Sequence, residues 1–231
     1  MSLFLPSGGL IWHARAWRFG RDWQDYRHAL AGWLRQWRHD RRDILLLGPS
    51  AGWCLDGEFL RRHRSIVAVD IDPLAPFLFR LRHGAGLRRS RVSMHWHALD
   101  VFSHLEALLQ RYPSHAILFC NLLGQHIVHS RNADHTSAAL GLLKHQLRGR
   151  AWASFHDCLS KSWSPAEDWP LAFELPHKIT LLDIADRAGV AGQWQEHLTT
   201  EVLPGHLPRC YFPWRITPDR MHIIEAGEVA C

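Results

Sequence analysis

The sequence predicts an α/β protein: a doubly wound, mainly parallel seven-stranded sheet with helices on both faces and a C-terminal antiparallel hairpin. Three observations carry this expectation. Short apolar runs alternate with helix-like stretches, the rhythm that builds a parallel sheet through right-handed crossovers. The first runs, at 44–47 and 66–69, are apolar throughout, as suits strands covered on both faces. The last two, at 210–216 and 221–225, flank Thr217-Pro218-Asp219, a turn that joins them as a hairpin.

Taken in order, residues 22–39 read as an amphipathic helix. Trp23, Tyr26, Leu30, Trp33 and Trp37 recur at three- and four-residue steps, and Asp22 is placed to cap it. A turn at 40–43 leads into the first strand. Residues 55–62 are helical, 66–69 a strand, 74–82 a helix and 92–97 a strand closing on Leu99-Asp100. A helix from Ser103 through Leu109 follows, then a strand at 116–120, a helix at 136–147 and a strand at 151–155. The rhythm changes after Asp157. Residues 158–177, rich in Trp, Pro and Ser, read as an irregular excursion long enough to cover a pocket. A helix at 179–188 precedes the hairpin. The 231 residues suit one sizeable core, divided as a basic, Trp-rich helical extension at 1–42 and an α/β domain at 43–231.

Composition narrows the class. The chain is 47% hydrophobic and 21% charged, the balance of a globular protein. No basic start with a long apolar core stands at the N-terminus, and no apolar run approaches the roughly 20 residues that span a bilayer, so a soluble cytoplasmic protein is expected. Five cysteines, odd in number and without a Cys-x-x-Cys pair, read as reduced thiols. The tightest histidine pairs, His95 with His97 and His126 with His129, lack a nearby acid or third ligand, so no metal is expected. The net charge of +5 is uneven: residues 1–42 hold eight arginines against three acids, and 61–91 eight against two. Interleaved with tryptophans, such stretches can grip nucleic acid, but an arginine-heavy helix with an apolar stripe is the favoured reading.

The chemistry concentrates in residues 43–72. A strand ends on Gly48-Pro49-Ser50-Ala51-Gly52-Trp53, and the next ends on Asp70-Ile71-Asp72-Pro73. A small-residue turn lets backbone N–H groups approach a nucleotide-like cofactor, and a carboxylate at the next strand end accepts from ribose hydroxyls. A dinucleotide fingerprint is disfavoured, because Ser50 and Trp53 occupy two of its glycine positions. The same turn matches Gly-x-Ser-x-Gly, which would make Ser50 the nucleophile of a serine hydrolase. A non-enzymatic module that binds RNA or protein through its basic, aromatic face is the remaining alternative.

Taken together, these residues resemble the seven-stranded, Rossmann-like S-adenosylmethionine-dependent methyltransferases over the order of elements from Asp43 to the hairpin. The resemblance implies S-adenosylmethionine as cofactor, with Gly48, Ser50 and Gly52 around its amino acid part and Ser50 replacing a central glycine. It implies Asp70 at the ribose, Ile71 against the adenine, Asp100 and the Val101 N–H at the adenine edge, and Asn121 beneath the methyl donor. Asp72 is then expected to cap the helix near Pro73. If a base is used, His126 and His156, or Asp157, stand after the fourth and fifth strands. Cys120 as a nucleophile is disfavoured, since it lacks the usual preceding proline. The methyl acceptor and the oligomeric state are not encoded in these motifs.

Overall fold

The computed structural model describes residues 9–123, 133–164, 169–170, 172–189, 192–199 and 201–230. In chain order the elements are α1 (Gly9–Phe19), α2 (Gln24–Gln36), β1 (Asp43–Leu47), α3 (Gly57–Arg61), β2 (Ser65–Asp70), α4 (Ala75–Arg89), β3 (Ser93–Ala98), α5 (Val101–Arg111), β4 (Ala116–Cys120), α6 (Ala133–Gln146), β5 (Trp152–Ser162), β6 (Phe173–Leu175), α7 (Leu181–Arg187), β7 (Gln195–Glu196), β8 (Arg209–Thr217) and β9 (Arg220–Val229). Among the described residues one nine-stranded sheet runs β3-β2-β1-β4-β5-β9-β8-β6, with β7 pairing β5 off this path. Strands β1 to β5 are parallel, while β9 runs antiparallel to β5 and forms the hairpin with β8. This is the doubly wound arrangement with a C-terminal hairpin that the sequence predicts.

Strand β1 sits in the middle because every residue from Ile44 to Leu47 is buried, and a strand between two parallel neighbours has both faces covered. Its two faces feed separate cores. Ile44 and Leu46 join the layer under α1 to α4, while Leu45 and Leu47 join the layer under α5 and α6. The register pairs Leu47 with both Val69 and Phe119, Asp70 with Ala98, and Cys120 with Phe155. The carboxyl ends of β1 to β4 therefore finish level, beside Phe155 within β5, where open parallel sheets bind ligands.

The N-terminal region differs from the single predicted helix. Two helices form, and Asp22 does not cap the second: Trp23 takes the N-cap position with no side-chain cap bond. Packing decides the boundary. Trp23 is fully buried, its ring 5.5 Å from Trp12 and 5.0 Å from Trp214, and Tyr26 stacks on Trp214 at 4.7 Å. Burying each such ring contributes about 2–3 kcal/mol and outweighs one capping bond. These two helices thus share the core of the sheet.

Strand β5 also departs from expectation. It continues to Ser162 rather than ending at 155, because β9 supplies an antiparallel partner from Trp152 to Ser162, with a bulge between Asp157 and Leu159. The excursion contributes one further short strand, β6, and a second, β7, follows α7. Helix α4 runs on to Arg89, past the expected end at 82. Gly84 and Gly86 are tolerated inside it, with Gly84 buried against the Arg80 and Arg88 side chains.

Candidate functional site

The β1 turn is built from alternating left-handed residues: Gly48 at φ +69°, Ser50 at +50° and Gly52 at +67°. Gly52 has no substitute, since a Cβ there would lie 2.8 Å from both Phe79 and His83 side-chain atoms. Ser50 bears a side chain in a region that costs of order 1 kcal/mol or more. Its backbone N–H offsets this by donating to Asp70 Oδ2 at 2.7 Å. The Ser50 hydroxyl is buried and has no hydrogen-bond partner among the described residues. Among the described residues no imidazole is hydrogen-bonded to it, whereas a hydrolase nucleophile needs an adjacent base.

Asp70 closes β2 and is 9% exposed. Its other oxygen, Oδ1, accepts from the Asp72 N–H at 2.9 Å. Burial pushes its carboxyl up to about 6, while the Asp72 and Ser50 N–H bonds pull the other way. Each oxygen keeps a further lone pair, so the carboxylate can still accept from a diol. Beside it Ile71 is half exposed, an apolar surface at the strand end.

Asp72 has two partnerships. Its Oδ1 accepts from the Leu74 N–H at 2.9 Å and braces the turn into α4, but the N-cap is Leu74 rather than the expected Asp72. Its Oδ2 accepts from the Gly9 N–H at 3.1 Å and lies 2.9 Å from His13 Nε2. His13 Nδ1 accepts from the Trp53 indole at 2.9 Å, so the imidazole carries its proton on Nε2, facing Asp72. Helix α1 is thereby tied to the β1 turn and the β2 end together. Arg82 lies over Trp53, 4.1 Å from the ring.

At the third strand end, Asp100 caps α5, with Oδ1 accepting from the Ser103 N–H at 2.7 Å. Val101 is buried in the first turn of that helix. At the fourth, Asn121 adopts φ +52° and bonds twice to Asp157: its Oδ1 accepts from the Asp157 N–H at 3.0 Å and its Nδ2 donates to Oδ2 at 3.3 Å. Cys120 is buried, and burial drives its thiol far above the ordinary range, so it is not a thiolate nucleophile.

The predicted bases fall differently. His126 lies outside the described residues. His156 is a correction: it is fully buried, its Nδ1 accepts from Ser154 Oγ at 2.9 Å and its Nε2 donates to Glu225 Oε2 at 3.1 Å. Glu225 also takes Arg209 at 3.2 Å and the Tyr211 hydroxyl at 2.8 Å. Both ring nitrogens are thus spent in a core network, leaving none for an acceptor. Alternation along β5 explains this: Ser154 and His156 share one face, while Phe155 packs in the opposite layer.

The residue sequence reasoning missed is His222 on β9. Its Nδ1 donates to Asp157 Oδ1 at 3.0 Å, which leaves Nε2 as the acceptor nitrogen. Asp157 remains ionised: burial would raise its carboxyl, but His222, His197 and Asn121 hold it below the usual range. The alternation of β9 was readable, with His222 in phase with Ile224 and Ala226, yet nothing marked this histidine among eighteen.

The arrangement defines an open, Rossmann-like α/β fold whose polar groups gather at the carboxyl ends of β1 to β4 and at Asp157 within β5. No family model matches the chain, and no curated protein matches it in sequence. Solved structures similar to it include the N-methyltransferase NodS from Bradyrhizobium japonicum in complex with S-adenosyl-L-homocysteine, 13% identical over 90% of this chain and 85% of that one, TM-score 0.41. Magnesium protoporphyrin IX methyltransferase from Synechocystis with the same ligand is 12% identical over 91% of this chain and 84% of that one, TM-score 0.46. The DhpI complex with that ligand is 15% identical, covering 94% and 93%, TM-score 0.42. No helix among the described residues is long and apolar enough to cross a membrane.

Proposed function

We propose that the chain is a methyltransferase that uses S-adenosylmethionine. The observation that carries the reading is the bond from the Ser50 N–H to Asp70, which locks a left-handed small-residue turn against a carboxylate and the exposed Ile71 at the next strand end. The orphaned Ser50 hydroxyl adds a buried polar atom that a ligand can satisfy. Gly48, Ser50 and Gly52 would hold the amino acid part, Asp70 the ribose, Ile71 the adenine face, and Asp100 with the Val101 N–H the adenine edge. When bound, the cofactor supplies an electrophilic methyl on a sulfonium. The chain's own residues hold the acceptor in line and exclude water. Residues 1–42 would cover the acceptor side through α1 and α2, over a domain spanning 43–231. The free thiols of Cys54, Cys120, Cys158 and Cys210 suit a reducing cytoplasm.

A thermal-shift series tests this. S-adenosylmethionine and its demethylated product at roughly 100 times Kd should each stabilise the fold by about 2.7 kcal/mol, with NAD giving no shift. A shift by NAD alone would contradict the assignment.

A further inference from the structure

We propose that Asp157 and His222 form a proton-accepting dyad for this methyl transfer, and that the acceptor is a protic group, a hydroxyl or N–H, rather than a thioether or a tertiary amine. The inference rests on the methyltransferase reading and names the substrate class of that same site.

Three features of the geometry support it. The hydrogen bond to Asp157 fixes the imidazole as the Nδ1–H tautomer, with the basic lone pair on Nε2. That Nε2 has no hydrogen-bond partner among the described residues, although the ring is 8% exposed. Asp157 is bonded in turn to Asn121 at the end of β4, where the methyl donor is proposed to lie. The bonds from Asn121 Nδ2 to Oδ2 and from His222 Nδ1 to Oδ1 hold the carboxylate in place.

The groups around the dyad suit this role. His197 stands 5.8 Å from His222, ring to ring, and its Nε2 engages Ser160 at 2.9 Å. Burial, opposed by Asp157, lowers the proton affinity of His197, which keeps a second cation away from the base. Arg220, two residues along β9, donates to Ser160 and Gln195 rather than to Asp157. From α2, Tyr26 stacks on Trp214, the cross-strand partner of His222. Burial raises the proton affinity of its phenol well above the ordinary range, so Tyr26 stays neutral and adds no charge to the dyad.

The step balances without a further reagent. The acceptor X–H gives its proton to His222 Nε2 as its electron pair bonds to the methyl carbon. The C–S pair stays on sulfur, and the imidazolium afterwards releases the proton to water. A thioether or tertiary amine has no such proton and needs no dyad.

The test uses full-length protein with ¹⁵N-labelled histidine, observed by NMR alone, with S-adenosylmethionine and with S-adenosyl-L-homocysteine. His222→Gln identifies the signal. Because only the first ligand is a cation, His222 should lose its proton at lower pH in its complex than in the product complex. A unit charge brought near a partly buried base moves its titration by on the order of one pH unit. Asp157→Asn should release the ring to populate the Nε2–H tautomer, while the difference in titration between the two complexes is the readout that a merely structural contact would not move. Should His222→Gln not fold, loss of the Asp157→Asn tautomer signal identifies the residue instead. Binding of both ligands with identical His222 titration in the two complexes would overturn the dyad while leaving the cofactor site intact. Failure of both ligands to bind would overturn the methyltransferase reading itself, and the dyad with it.

Discussion

The Ser50 N–H donates to Asp70 Oδ2 at 2.7 Å, joining the turn after β1 to the carboxyl end of β2. Two elements separated by a helix are held at one distance by this bond, and the buried carboxylate is held ionisable by it. Its consequences are measurable.

Burial raises Asp70 to about 6 from an ordinary 3.8. The folded chain therefore binds this proton more tightly than the unfolded chain. The protonated form's contribution to stability is full below about pH 4 and is lost as pH rises through about 6. Urea unfolding of wild type and Asp70→Asn across that range should show their difference moving against wild type by about 3 kcal/mol as pH rises, then levelling.

Gly52→Ala should both destabilise the fold and abolish cofactor binding. The new methyl would meet Phe79 and His83 at 2.8 Å, on a backbone already at φ +67°. A loss of about 2–4 kcal/mol is expected by urea denaturation. Gly149→Ala, also at positive φ but with open space around it, should cost about 1 kcal/mol and leave binding unchanged.

His13→Ala should loosen α1 without unfolding the sheet. It leaves Trp53 Nε1 and Asp72 Oδ2 each short of a partner. The expected cost is about 1–3 kcal/mol, with faster proteolytic cleavage within Gly9–Phe19 than in wild type.

Glu225→Ala should be far more damaging, because it strands Arg209, which is 1% exposed, together with Tyr211 and His156. A loss of about 3–5 kcal/mol in chemical denaturation is expected. His156→Gln, by contrast, should retain cofactor binding in a folded protein, since that ring serves the core.

The sheet was legible in the sequence because buried parallel strands leave uniform apolar runs, as at Ile44 to Leu47. The β1 turn and Asp70 were legible because glycine at left-handed positions and an acid at a strand end are local signals. His156 misled because strand alternation decides which way a side chain faces, and β5 extends beyond its apolar run only through pairing with β9. His222 was invisible for the same reason: its partner Asp157 lies 65 residues away, and only the antiparallel pairing of β9 with β5 brings them together. Helix α1 escaped notice because its partners, Asp72, Trp53 and Trp214, are all distant in the chain.

Calorimetric titration of the folded protein with S-adenosyl-L-homocysteine tests the central claim most directly. A saturable one-site isotherm is expected for wild type, and its loss in Asp70→Ala with an unchanged circular dichroism spectrum. Absence of heat at about 1 mM ligand, a concentration that half-fills a site worth only about 4 kcal/mol, from protein shown to be folded, would contradict it.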